Sequence, residues 1–161
     1  MGVGWEEDLA QRLHGRVVLA ALGDRTAGDD AAALSLIDLL DTTTNLTLLD
    51  CGSYPQNFLG VISRDRPEVV MLVDAAELGL QPGEVRVLDR SSVTDWGGGS
   101  HGFPMELLMQ QIEVLAAAQV FLLAIQVGGL TRGAPLHPDV RRAVEELAAF
   151  FRLRYPGKRE G

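Results

Sequence analysis

Continuous apolar runs alternate along the chain with segments whose apolar residues recur at helical spacing. Val17-Val18-Leu19-Ala20-Ala21-Leu22 is unbroken and closed by Gly23, the pattern of a strand buried on both faces of a sheet. After a polar loop, Ala33, Leu36, Ile37 and Leu40 fall on one helical stripe, with Ser35, Asp38 and Asp41 on the other side. Leu46–Leu49 and Val69–Val73 repeat the strand pattern, Val85–Leu88 alternates as a half-exposed edge strand does, and Gln119–Val127 is the last strong run. Helical spacing covers residues 5–14, packing beside the first strand, then Leu108, Ile112 and Leu115 behind Pro104 as the first helical residue. It returns in Val140, Val144, Leu147, Ala148 and Phe151 behind His137-Pro138-Asp139. Residues 54–63 offer one or two helical turns, and residues 90–103 read as a loop rich in Gly and Ser. Strands that alternate with helices predict an α/β fold with three layers, a twisted, largely parallel sheet of about five strands with helices on both faces.

The polar residues at the ends of these runs sharpen the picture. Asp29 is placed to N-cap the helix that follows the first strand, because its oxygens can accept from first-turn amides that lack partners. Asp30 would then open that helix at the carboxyl end of the strand. The next two strand-like runs end at Asp50 and Asp74. A parallel sheet aligns its strand ends, so Asp30, Asp50 and Asp74 are expected along one edge, where ligands of open α/β sheets bind.

Composition narrows the partners. The 161 residues suffice for one domain with its own core, and 6% aromatic against 47% hydrophobic residues makes that core aliphatic. A formal net charge of -8 disfavours nucleic acid and anionic membrane surfaces and points to a protein or a metal. A lone cysteine, Cys51, fits a reducing compartment. Met1–Glu7 lacks a basic region leading into an apolar stretch, and no run approaches the length needed to cross a bilayer, so a cytoplasmic protein without membrane insertion is expected.

Three chemistries compete. Asp30, Asp74 and His101 offer two carboxylates and an imidazole, a donor set suited to a borderline divalent ion such as nickel or zinc. Set against it, the same residues serve as helix caps and a solvated loop histidine. Gly98-Gly99-Ser100-His101-Gly102 matches the G-x-S-x-G pattern of a nucleophile elbow, with His137 as the downstream base, but no buried strand precedes it. Cys51 as a nucleophile would need a nearby histidine, and a small buried hydrophobe is the favoured role.

The order of these features resembles the maturation endopeptidases of [NiFe] hydrogenases, with the branch serving the hydrogenase of formate hydrogenlyase the most similar. The resemblance rests on Gly23-Asp24 and Asp29-Asp30 after the first strand, then Asp50-Cys51-Gly52-Ser53, Leu72-Val73-Asp74-Ala75 and Pro82-Gly83-Glu84-Val85-Arg86. Ser100-His101 before a Pro-led helix and Phe121–Gln126 before the Pro138-led helix complete it. It spans nearly the whole chain, residues 1–161, as a single hydrogenase-maturation-protease-like domain. It implies removal of a C-terminal extension from a [NiFe] hydrogenase large-subunit precursor. Nickel already loaded in that substrate would serve for recognition, and Asp30, Asp74 and His101 would be the metal-binding and catalytic residues. The alternative is a non-catalytic metal-binding or chaperone-like module on the same fold. The chain departs from the family pattern at Asp24, where Asn is usual, at Cys51, where Gly is usual, and at Ala31 and Ala33. A positive φ at position 51 would make the cysteine costly.

Overall fold

In the computed structural model, which describes residues 4–93 and 104–157, the apolar run Val17–Leu22 is strand β1, buried along its whole length. Leu46–Gly52 forms β2, Val69–Ala76 β3, Val85–Leu88 β4 and Gln119–Gln126 β5. They make one five-stranded sheet in the order β2-β1-β3-β5-β4, parallel except for β4, which runs antiparallel to β5 at the edge. The expected α/β architecture is therefore the one observed, with β4 as the edge strand its alternation announced.

Helices cover both faces. Trp5–Arg12 (α1), Ala32–Asp38 (α2) and Pro138–Arg154 (α6) close one side, and Leu59–Arg64 (α3), Arg90–Val93 (α4) and Met105–Ala116 (α5) close the other. The period of two along each strand divides the core accordingly. Val17, Leu19, Ala21, Met71, Val73 and Leu123 pack toward α2 and α6, while Val18, Ala20, Leu22, Val70, Leu72 and Leu122 pack toward α3 and α5. Because every central strand is covered twice, both parities must be apolar, which is why these runs are unbroken in sequence.

Several boundaries differ from expectation for local reasons. Pro104 is the extended N-cap of α5 and not its first residue. Residues 90–93, read as loop, form the short α4, fastened by an ion pair from Arg90 to Glu113 on α5. The first helix lies against β4 and reaches α6 through the edge-on contact of Trp5 with Phe150, so its neighbour is not β1. Asp50 and Asp74 lie inside β2 and β3, each strand running past the acid that was expected to end it.

The strand order creates the feature that matters for function. The chain leaves β1 for β2 on one side and then crosses to β3 on the other, so the connections leaving the carboxyl ends of the paired strands β1 and β3 run to opposite faces of the sheet, with a crevice between them. In open α/β sheets that switch point is where ligands sit.

Candidate functional site

Asp30 and Asp74 meet at this crevice. A short 3-10 turn, Gly28–Ala31, follows the β1 loop and leads into α2, burying both Asp29 and Asp30. Asp30 accepts a hydrogen bond at Oδ2 from the backbone amide of Asp24 at 3.0 Å, so its carboxylate turns back over the loop that leaves β1. Asp74 is 1% exposed in the middle of a strand of apolar neighbours, and its Oδ1 has no hydrogen-bond partner among the described residues. Burial pushes the Asp74 carboxyl well above the ordinary carboxylate range, the charge of Asp30 pushes it further, and the backbone amide of Ala75 works in the opposite direction. A buried acid with an orphaned oxygen beside a second acid is costly to keep, and groups of this kind cluster where a cation or a proton is handled.

The remaining expected site residues divide. Asp50 does not join the two buried acids through a shared contact. It lies at the exposed rim, where Arg25 bridges it to Asp38. His101 and Ser100 lie outside the described residues. Among the described residues, no three His, Cys, Asp or Glu side chains converge as a metal site would require. His137 caps α6, its Nδ1 accepting from the amide of Asp139 at 3.1 Å, which occupies that nitrogen of the base invoked for a serine hydrolase.

Asp29 is not the helix cap the sequence suggested. No side chain caps the turn or α2. Its Oδ2 instead accepts from the amides of Gly128 and Gly129 at 2.6 and 2.9 Å, and its Oδ1 from the amide of His137 at 2.7 Å. These donors lie about a hundred residues away, between β5 and α6, so local spacing carried no trace of them. Gln126, 2% exposed at the end of β5, is a second polar residue with structural duties that local spacing does not announce. Its Oε1 accepts from the amides of Leu78 and Leu80, and its Nε2 donates to Glu77, which secures the loop that follows β3. A polar residue closing an apolar run just before Gly128-Gly129 was the available signal.

Cys51 is buried in the core facing α3 and α5 and is not among the residues with positive φ; the left-handed position belongs to Gly52, at 51°. The cost feared for cysteine at this place does not arise. Burial, with a smaller push from Asp50, raises its thiol to about 12, so almost no thiolate exists at neutral pH. Native protein at pH 7 is expected to resist iodoacetamide, checked by intact mass, and Cys51→Ala is expected to keep any activity within about threefold. Rapid alkylation would show that the thiol is open to solvent.

Comparison with known proteins gives this geometry its context. A family model described as hydrogenase maturation protease matches residues 33–151. The Hydrogenase 3 maturation protease of Escherichia coli strain K12 is 30% identical over 133 residues, covering 81% of this chain and 85% of that protein. The solution structure of an endopeptidase, HycI, from Escherichia coli superposes with a TM-score of 0.75 at 28% identity, over 83% of this chain and 87% of that one. For the fold alone, a [NiFe] hydrogenase maturation protease HycI from Thermococcus kodakarensis KOD1 gives a TM-score of 0.79 at 24% identity, over 91% of this chain and 95% of that one. With a family match across most of its length and a relative of this similarity, the chain belongs to the hydrogenase maturation protease family and is a hydrogenase maturation endopeptidase.

Proposed function

We propose that this endopeptidase removes the C-terminal extension of a nickel-loaded [NiFe] hydrogenase large-subunit precursor, and that Asp30, Asp74 and His101 meet the substrate's nickel. The observation that carries the reading is the buried, unpartnered Oδ1 of Asp74 beside the charge of Asp30 at the β1/β3 crevice. Two carboxylate oxygens fit a divalent cation, and an imidazole would bring the set toward the borderline character that suits nickel. Further support comes from the residues that bracket the segment carrying His101. Val93 and Met105 are buried in the same core as Leu72, on the sheet face to which Asp74 belongs by strand parity.

In this reading the chain's own groups hold the metal end of the substrate. Asp30 is fixed by the Asp24 amide, and Asp74 is fixed by β3. Nickel in the precursor leaves coordination positions for these oxygens, so the protease binds loaded precursor better than empty precursor, and that difference in affinity is all that discrimination requires. Because burial and the charge of Asp30 make Asp74 hold its proton more tightly than an ordinary carboxylate, docking of loaded precursor should release any proton it carries. A buried acid of this kind is also suited to exchanging a proton with the water that attacks the peptide bond. Asp24, where the family pattern has Asn, adds a carboxylate at the mouth of the site, where it accepts from the amide and hydroxyl of Thr26.

The test is direct. Incubation with purified precursor should shorten it by one C-terminal segment when nickel is loaded and leave it intact when nickel is absent, read by intact mass. His101→Ala should lower the rate at least a hundredfold. Equal cleavage of loaded and empty precursor would remove the nickel reading, and unchanged cleavage by His101→Ala would remove the ligand assignment.

A further inference from the structure

We propose that Asp29 is a positioning residue for the reaction, one that holds Asp30 in place by tying the loop between β5 and α6 to the turn after β1. Several hydrogen bonds run between these two segments. Besides the three amides received by its carboxylate, the backbone amide of Asp29 donates to the carbonyl of Gly129 at 2.9 Å. Three residues earlier, the carbonyl of Thr26 accepts from the amide of Gly133 at 2.8 Å, and its hydroxyl accepts from Arg132 at 3.2 Å. The β1 turn is thus fastened to the β5–α6 loop at both Thr26 and Asp29, and Asp30 is the next residue along.

Asp29 is 1% exposed, so its carboxylate cannot trade these amides for water. A buried carboxylate receiving three amides is a strong local tie, because charge-assisted bonds are about twice as strong as neutral ones. Asp30 has a different duty: its Oδ2 faces the amide of Asp24, and its charge reaches Asp74. Adjacent acids therefore divide the work, the first anchoring the backbone and the second presenting a carboxylate to the crevice. Groups that orient a metal-binding carboxylate typically change affinity or activity about 10–100-fold when removed. This role rests on the proposed use of Asp30 as a ligand.

The two variants Asp29→Asn and Asp29→Ala separate positioning from general stability. Asn keeps the shape and one acceptor oxygen. If that oxygen faces Gly128 and Gly129, the amide nitrogen opposes the donor of His137, so the tie is cut at one end only. Ala cuts it at both. The expected result is a graded loss of kcat/KM against loaded precursor, about tenfold for Asn and larger for Ala, with a raised KM as part of it because Asp30 meets the substrate's nickel, while affinity for nickel-free precursor stays within about twofold, at temperatures well below the unfolding transition. Independently of any cleavage, the Asp24 amide reports where Asp30 sits. In an NMR hydrogen-exchange experiment on the metal-free protein it should shift and lose protection in Asp29→Asn, while amides of β3 and β5 keep theirs. If Asp24 retains its shift and protection in Asp29→Asn, the positioning role is overturned. If the amide responds but wild-type protein leaves precursor uncut, the assignment of substrate fails and the positioning of Asp30 stands. If Asp29→Asn lowers the thermal midpoint while kcat/KM for loaded precursor stays at the wild-type value, Asp29 is structural only and the proposal is overturned.

Discussion

Replacing Asp74 by Asn is expected to abolish processing of nickel-loaded precursor and at the same time to make the protein more stable at neutral pH. Asp74 occupies a central strand, is 1% exposed and leaves Oδ1 without a partner. Its folded-state affinity for a proton is raised, by burial first and by Asp30 second. The sign of the pH dependence follows. Between the ordinary carboxylate range and the higher folded value, the native chain keeps a proton that the unfolded chain has lost, so stability falls as pH rises through that window. Asn carries no such proton and removes the penalty of burying an under-satisfied charge, which is of the order of 1–3 kcal/mol. Urea titrations at pH 5 and pH 8 in the presence of a chelator check this: wild type should lose more stability between the two than Asp74→Asn, and the variant should be the more stable at pH 8. A variant less stable than wild type at pH 8 would mean that the carboxylate is held by favourable contacts and is no strained functional group. A gain in stability bought with activity is what a site residue gives and a packing residue does not.

How much of this was legible in the sequence depends on how local the cause is. The unbroken run Val17–Leu22 and the stripe through Val140, Val144, Leu147 and Phe151 reflect burial of a strand on two faces and of a helix on one, and both survive in the structure as read. Asp30 and Asp74 were nominated because parallel strands align their ends, and the β2-β1-β3-β5-β4 order brings the two acids to the β1/β3 crevice. Asp50 satisfied the same rule but went elsewhere: it lies on edge strand β2, and Arg25 from the β1 loop was available to pair with it. The role of Asp29 departs from the expected cap because capping is a local rule, whereas its partners, Gly128, Gly129 and His137, are brought to it by the connection from β5 to α6. The four residues 90–93 looked like loop because Arg90, Ser91 and Ser92 carry no apolar stripe. Their helix turn is held by Val93 in the core and by Arg90 on Glu113.

The second large effect is expected at Gly23, the residue that closes β1 and opens the loop leading to Asp29 and Asp30. Its φ is 144°, a value that side chains with a Cβ rarely adopt, and a Cβ built there would lie 1.9 Å from the backbone carbonyl oxygen of Asp30. That contact is with backbone, so no rotamer change relieves it; either the 3-10 turn moves or β1 does. The amide of Gly23 also donates to the carbonyl of Gly52 at 3.0 Å, so displacing Gly23 pulls on β2 as well. Gly23→Ala should therefore cost about 3–5 kcal/mol, among the larger effects of single substitutions. The molecules that do fold should fail to process precursor, because Asp30 is the residue pushed aside. Gly52→Ala is the matched control. Its φ of 51° is also left-handed, but nothing lies within 4 Å of an added Cβ, so only the conformational cost of about 1–2 kcal/mol applies. Urea titration of both variants beside wild type, followed by the precursor assay on the folded fraction, sets a left-handed position with open space beside one where a glycine-only φ and a backbone collision act together. Equal destabilisation by the two substitutions would show that the Asp30 turn yields to a methyl group. In that case the close approach of Gly23 to Asp30 would not be what sets the geometry of the crevice.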